Sequence, residues 1–197
     1  MRQASRPCRV ARPPQVFAGR RPASLLAGAC AAALVAIGAG CALMPAAGPG
    51  AQAQLMPRSG SAVSGTVGFT QRGDKLVMTG EVRGLRPNAE HGFHVHERGD
   101  CSAPDASSAG GHFNPDAKPH GRAGQGQHHA GDVPNLKADA NGVARVDVEL
   151  SWLSLAGATN GVIGRSLVVH RDPDDYRSQP AGNSGPRVAC GLIVAAN

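Results

Sequence analysis

Along the last three quarters of the chain, apolar and polar positions alternate in short runs. Val146, Val148 and Leu150 alternate with Arg145, Asp147 and Glu149, the period of two expected of a strand with one buried face. Strand-like runs recur at residues 62–70, 75–82, 92–96, 142–150, 161–170 and 187–194. Arg72-Gly73-Asp74 and Asn141-Gly142 supply tight-turn chemistry between or before them. There is no internal repeat and no long amphipathic helical pattern. Periodicity alone therefore predicts an antiparallel β sandwich or barrel. Two interruptions, residues 99–134 and 171–186, exceed ordinary connections, and loops of that length in a compact domain are usually functional.

The first 53 residues read differently. Arg2, Arg6, Arg9, Arg12, Arg20 and Arg21 precede an apolar stretch, residues 25–44, rich in Ala and Gly. Residues 45–53 then end in Ala51-Gln52-Ala53, the A-x-A pattern of a signal-peptidase site. Residues 1–53 are therefore expected to be a removed export leader, and residues 54–197 a single domain. A transmembrane anchor is the competing reading, since the apolar run approaches a spanning length of about 20 residues. Small residues and the cleavage pattern favour the leader. Gly38-Ala39-Gly40-Cys41 resembles a lipoprotein box, which makes a lipid anchor at Cys41 an alternative route, and Arg20-Arg21 resembles a twin-arginine signal.

Removing the leader changes the charge. The full chain carries 20 Lys plus Arg against 14 Asp plus Glu. The six leader arginines account for the whole excess, so the sequence pI of about 9.5 describes the precursor. It gives no warrant for nucleic-acid binding. Cys8, Cys30 and Cys41 also fall in the leader, leaving Cys101 and Cys190.

Seven side chains carry the candidate chemistry: His94, His96, His112, His120, His129, Asp132 and His170. His94 and His96 are two apart in a β-prone run, so they share one face of a strand. His112, His120, His129 and Asp132 fall in a Gly/Pro-rich loop able to wrap a cation, and His170 ends a second strand. Three imidazoles with a carboxylate suit tetrahedral zinc, and an imidazole-rich set suits copper(II). A one-residue register error could exchange His128 for His129; the spacing from His112 and Gly131-Asp132 favour His129. His91 reads as a structural hydrogen-bonding residue.

Gly92-Phe93-His94-Val95-His96-Glu97, Gly110-Gly111-His112-Phe113-Asn114-Pro115, Gly131-Asp132, the run from Gly164 to His170 and the run from Gly182 to Gly191 together resemble the copper,zinc superoxide dismutases. The resemblance covers residues 60 to 197, and the Gly99–Asp105 variant is similar to the bacterial exported branch. It implies a Greek-key barrel, copper held by His94, His96, His112 and His170, and zinc held by His112, His120, His129 and Asp132. By the same resemblance His112 bridges both metals, Asp174 links His94 to His120, and Arg187 lines the channel to copper. The implied activity is dismutation of superoxide in the periplasm. Cys101 and Cys190, two cysteines in an exported domain, most simply pair, and the resemblance implies the same bond. Residues 171–186 are shorter than the family's animal and plant versions and lack the lysine and acidic pair that guide superoxide there. Basic residues of the zinc loop are then candidates for that role. A non-enzymatic copper or zinc buffer would use the same ligands without needing Arg187. A homodimer is compatible with the sequence, which leaves the oligomeric state open.

Overall fold

The computed structural model describes residues 50–196. Eight strands follow in chain order: β1 (Ala51–Pro57), β2 (Ser64–Arg72), β3 (Lys75–Arg83), β4 (Glu90–His96), β5 (Asp132–Lys137), β6 (Ala144–Leu150), β7 (Ser166–His170) and β8 (Arg187–Ala195). Every ladder is antiparallel, in the order β5-β4-β7-β8-β1-β2-β3-β6. The two end strands, β5 and β6, lie beside one another, so the sheet curls into a nearly closed Greek-key barrel. The chain leaves β3 and crosses to the far side to begin β4, returning to β3 only with β6. One 3-10 turn, Ser107–Ala109, interrupts the first long loop. No helix among the described residues is long and apolar enough to cross a membrane.

Inward-facing side chains fill the barrel: Leu55, Val67, Phe69, Leu76, Met78, Phe93, Val95, Leu150, Leu167, Val169 and Ile193 are all essentially inaccessible. Burying each such side chain stabilises the fold by roughly 1.5–3 kcal/mol before the opposing chain entropy. β6 buries one face and wets the other, as the alternation predicts, whereas β3 buries Leu76, Val77 and Met78 in succession. β4 and β7 show no such alternation, because nearly all their residues are buried. Their inner faces, Phe93, Val95, Leu167 and Val169, join the barrel core. Their outer faces carry His94, His96, Val168 and His170, and lie beneath the two long loops. Val168 packs there with Ala106, Ala109 and the Cys190 end of the disulfide.

Cys101 and Cys190 are bonded across 89 residues of sequence. On the chain-entropy account, closing a loop of that length stabilises the fold by about 4–5 kcal/mol. The bond fastens the first loop to β8, beside the strand ends that carry the histidines.

Three expectations need correction. The leader boundary at residue 53 falls inside a strand. Ala51 and Ala53 are fully buried and pair with Phe69 and Val67 of β2 and with Ala195 and Ile193 of β8. A cut after Ala53 would strip the first rungs from a central strand, so the folded unit begins at least three residues earlier. An A-x-A motif also has a strand's period of two, which is why one pattern admits both readings. The first loop ends at Asp132, where β5 begins, two residues before the expected end at Pro134. Pro134 suggests a break, but β5 lies at one end of the ladder order and Pro134 is exposed, where a missing N–H is tolerated. Finally, residues 161–165 precede β7 as a bridge and turn, with Gly164 at φ 84°. Cys41, the arginine pair and the apolar run of the leader lie outside the described residues.

Candidate metal centre

Strand register brings the histidines together. On β4, His94 and His96 point outward from alternate positions. His94 stands opposite Asp132 on β5 and Val168 on β7. His96 pairs with His112 through an isolated antiparallel bridge. His170 closes β7 and faces Arg187 at the start of β8, across a local register shift. The loop between β4 and β5 then delivers His120 and His129.

Two groups of four result: His94, His96, His112 and His170, and His112, His120, His129 and Asp132, each with its ligand atoms within 4.8 Å of one another. His112 belongs to both. All seven residues are at most 7% exposed. His128 is in neither group. It donates from Nδ1 to the carbonyl of His129, accepts the Gly124 N–H at Nε2, and sets its ring edge-on to Trp152. His91 also stands apart and donates from Nδ1 to the backbone carbonyl of His170.

Outward hydrogen bonds fix which nitrogen each ring presents. His96 Nδ1 faces the carbonyl of Gly110 at 2.9 Å, and His170 Nδ1 faces that of Gly185 at 3.2 Å. A carbonyl can only accept, so each Nδ1 carries the proton and each Nε2 keeps its lone pair. Those two Nε2 atoms lie 3.4 Å apart, unfavourable unless a cation sits between them. His94 Nε2 donates to Asp174 Oδ2 at 2.9 Å, leaving its Nδ1 free. His112 Nδ1 faces Asp132 Oδ1 at 2.8 Å while its Nε2 turns toward the four-imidazole group. His94 Nδ1, His112 Nε2 and His129 Nδ1 are buried without a hydrogen-bond partner. Each such orphan costs roughly 1–3 kcal/mol. Buried, preoriented lone pairs of this kind fit a bound metal ion, and both groups pass that test.

The electrostatics of the two groups are opposite in sign. Burial, then neighbouring histidines, hold His96 and His170 well below the usual imidazole range. His112 is lowered to about 4 by burial first and by His94 next, with Asp132 opposing. His120 is raised to about 9, because bonds to Asp132 and Asp174 outweigh the burial that opposes its charge. Both its ring nitrogens face carboxylates, an arrangement that suits an imidazolium. Burial pushes Asp132 upward, but bonds from the His112 and His120 rings, with the His129 backbone N–H and its nearby ring, hold it well below the ordinary carboxylate range.

Asp174 lies where the two groups meet. Its Oδ2 accepts from His94 and its Oδ1 from His120, both at 2.9 Å. Asn135 grips its backbone twice, accepting its N–H and donating to its carbonyl. Gly182, at φ 65°, packs so close that a Cβ there would collide with Asp174 and His120. The Arg122 guanidinium stacks 4.0 Å above the Tyr176 ring. Asn135 and Gln179 carried no signal in the sequence, since their partners Asp174 and His120 lie 39 and 59 residues away.

Arg187 is half-buried and donates to the carbonyls of Ala106 and Gly110, each at 2.6 Å. Gly110 thus receives both this guanidinium and the His96 ring. Beside His170 lies a small cavity of about 180 Å³, lined also by Gln179, Pro180, Ala181, Asn183, Ser184 and Gly185.

Residues 63–193 match the family model described as copper/zinc superoxide dismutase. The chain is 42% identical over 147 residues to superoxide dismutase [Cu-Zn] 2 of Aquifex aeolicus, covering 73% of this chain and 85% of that protein. It is 44% identical to superoxide dismutase [Cu-Zn] 1 of the same organism, covering 66% and 79%. The superoxide dismutase [Cu-Zn] of Yarrowia lipolytica is 44% identical over 144 residues, covering 69% and 92%. With the barrel and the paired donor groups, these matches lead to one conclusion: the chain belongs to the copper/zinc superoxide dismutase family.

Proposed function

We propose that this protein dismutates superoxide, converting two superoxide anions and two protons into dioxygen and hydrogen peroxide. The observation that carries the reading is His112, one imidazole whose two nitrogens face two separate four-donor groups. In this assignment His94, His96, His112 and His170 hold copper, and His112, His120, His129 and Asp132 hold zinc. Copper supplies the electron exchange, since it alternates between two oxidation states, whereas zinc has no redox chemistry.

The chain's own residues supply geometry, charge and protons. His112 Nε2 is the atom able to take and release a proton on the copper side, because its Nδ1 is committed to the zinc side. Asp174 fixes the rings of His94 and His120 from behind, as carboxylates do for metal-bound imidazoles. The Arg187 guanidinium spends two N–H donors on loop carbonyls and keeps others for a small anion arriving beside His170. Its positive charge draws superoxide inward.

The same reading makes the protein periplasmic, supported by the basic, apolar N-terminal sequence and the Cys101–Cys190 bond. A homodimer through β8 is supported by Ile163, Leu192 and Val194. These exposed apolar side chains lie on β8 or on the segment hydrogen-bonded to it.

Metal analysis coupled to a superoxide-consumption assay tests the activity. Chelation should abolish turnover, and copper with zinc should restore it; full recovery with zinc alone would refute the redox assignment. Arg187→Ala separates an enzyme from a metal store. It should lower the second-order rate several-fold without reducing copper content. Added salt should slow the wild type more than the variant, because the attraction is screened over about 8 Å near 0.15 M.

A further inference from the structure

Gln179 is exposed, yet both ends of its side chain are committed to the backbone of one residue. Its Nε2 donates to the His120 carbonyl at 2.9 Å, and its Oε1 accepts the His120 N–H at 2.9 Å. The amide thus reproduces a rung of backbone pairing between segments 59 residues apart. Its orientation is fixed, because exchanging O and N would break both bonds.

Every polar atom of His120 is thereby held. Nδ1 faces Asp132, Nε2 faces Asp174, and the peptide N–H and carbonyl meet Gln179. Asp174 and Gln179 both belong to the 171–186 loop, so His120 fastens the zinc-side loop to that segment. Gln179 also forms part of the cavity wall beside His170. One side chain therefore touches the backbone of a zinc-group histidine and borders the approach to a copper-group histidine.

We infer that Gln179 is a positioning residue that ties the zinc group to the wall of the cavity at His170, coupling zinc retention to anion access at copper. This rests on the metal assignment proposed above. An ordinary exposed glutamine is free to rotate, and ordering it opposes binding through lost side-chain entropy. Here that cost is met by two hydrogen bonds that only an amide can make together. Glutamate can accept the His120 N–H but cannot donate to the carbonyl, and its charge would face that oxygen.

The test uses the full chain loaded with copper and zinc, comparing wild type with Gln179→Ala and Gln179→Glu. Zinc transfer to a colorimetric chelator should be about tenfold faster in Gln179→Ala, in the range set by residues that orient metal ligands. Gln179→Glu should be at least as fast. A side chain that merely filled space would leave Gln179→Glu at the wild-type rate, and that result overturns the inference. Azide titration by absorbance reads the second half: removing zinc should shift azide affinity for copper in the wild type and shift it less than twofold in Gln179→Ala. An equal shift in both proteins overturns the coupling. If wild-type protein binds both metals but does not consume superoxide, the functional proposal fails while the zinc-transfer comparison still stands.

Discussion

The two donor groups share His112 but are built on opposite principles. The four-imidazole group rests on the sheet: His94, His96 and His170 come from β4 and β7, and no carboxylate belongs to it. Three of its rings, His96, His112 and His170, resist protons, and the Nε2 atoms of His96 and His170 face one another, so it is an electron-rich pocket held open by strand register. The second group hangs on a loop and is organised around Asp132, which accepts from two rings and from the backbone N–H groups of Gly121 and His129. That carboxylate is a resident counter-charge. A rigid sheet can hold mutually unfavourable donors in place; a loop needs an anion to gather its donors.

Removing Asp132 should break this contrast most completely. Asp132→Ala leaves His112, His120 and His129 without their shared partner, and losing one side of a buried, charge-assisted cluster costs about 3–5 kcal/mol. Zinc affinity should fall by about a thousandfold in a chelator competition, with copper affinity reduced far less. His170→Ala is the mirror experiment. Copper content and dismutation should be lost while zinc, measured by elemental analysis, stays bound. Equal loss of both metals would mean that the groups form as one unit and the contrast is false.

Asp174→Asn probes the junction. An asparagine can accept one imidazole N–H but turns its amide donors toward the other. Each group should therefore weaken by about 10–100-fold, read as faster release of both metals. Loss from one group alone would show that Asp174 serves only that side.

Acid–base behaviour gives the mildest test, in the metal-free protein. His112 titrates at about 4 in the fold, below the unfolded value of about 6.5. Between those values the unfolded chain binds a proton that the fold refuses, so stability declines as pH falls from about 6.5 toward 4. His120 titrates at about 9, above its unfolded value. Its contribution is fully present below about pH 6.5 and is lost as pH rises toward 9. The denaturation midpoint should therefore peak near pH 6.5, with the acid limb set by the four-imidazole group and the alkaline limb by the carboxylate group. His112→Ala should flatten the acid limb, and an unchanged acid limb would count against that assignment.

Much of this was legible in the chain itself. Alternation in residues 145–150 predicts that strand because a half-buried strand must repeat every two residues, and the strand-like run at 75–82 falls on β3. The i, i+2 spacing of His94 and His96 fixes their common face for the same reason, and the resemblance drew attention to Asp174 and Arg187. Local chemistry misled where one pattern served two purposes. Ala51-Gln52-Ala53 reads as a cleavage site and folds as a central strand, and Pro134 reads as a break inside a strand at the end of the ladder. What only the tertiary structure decided was whatever depends on partners distant in sequence. The Gly110 and Gly185 carbonyls that set the tautomers of His96 and His170 lie 14 and 15 residues further along the chain, and the grips of Asn135 on Asp174 and of Gln179 on His120 join segments 39 and 59 residues apart. Sequence supplied the donors, because donor chemistry belongs to single residues. Their orientation belongs to pairs of residues, and pairs exist only in the fold.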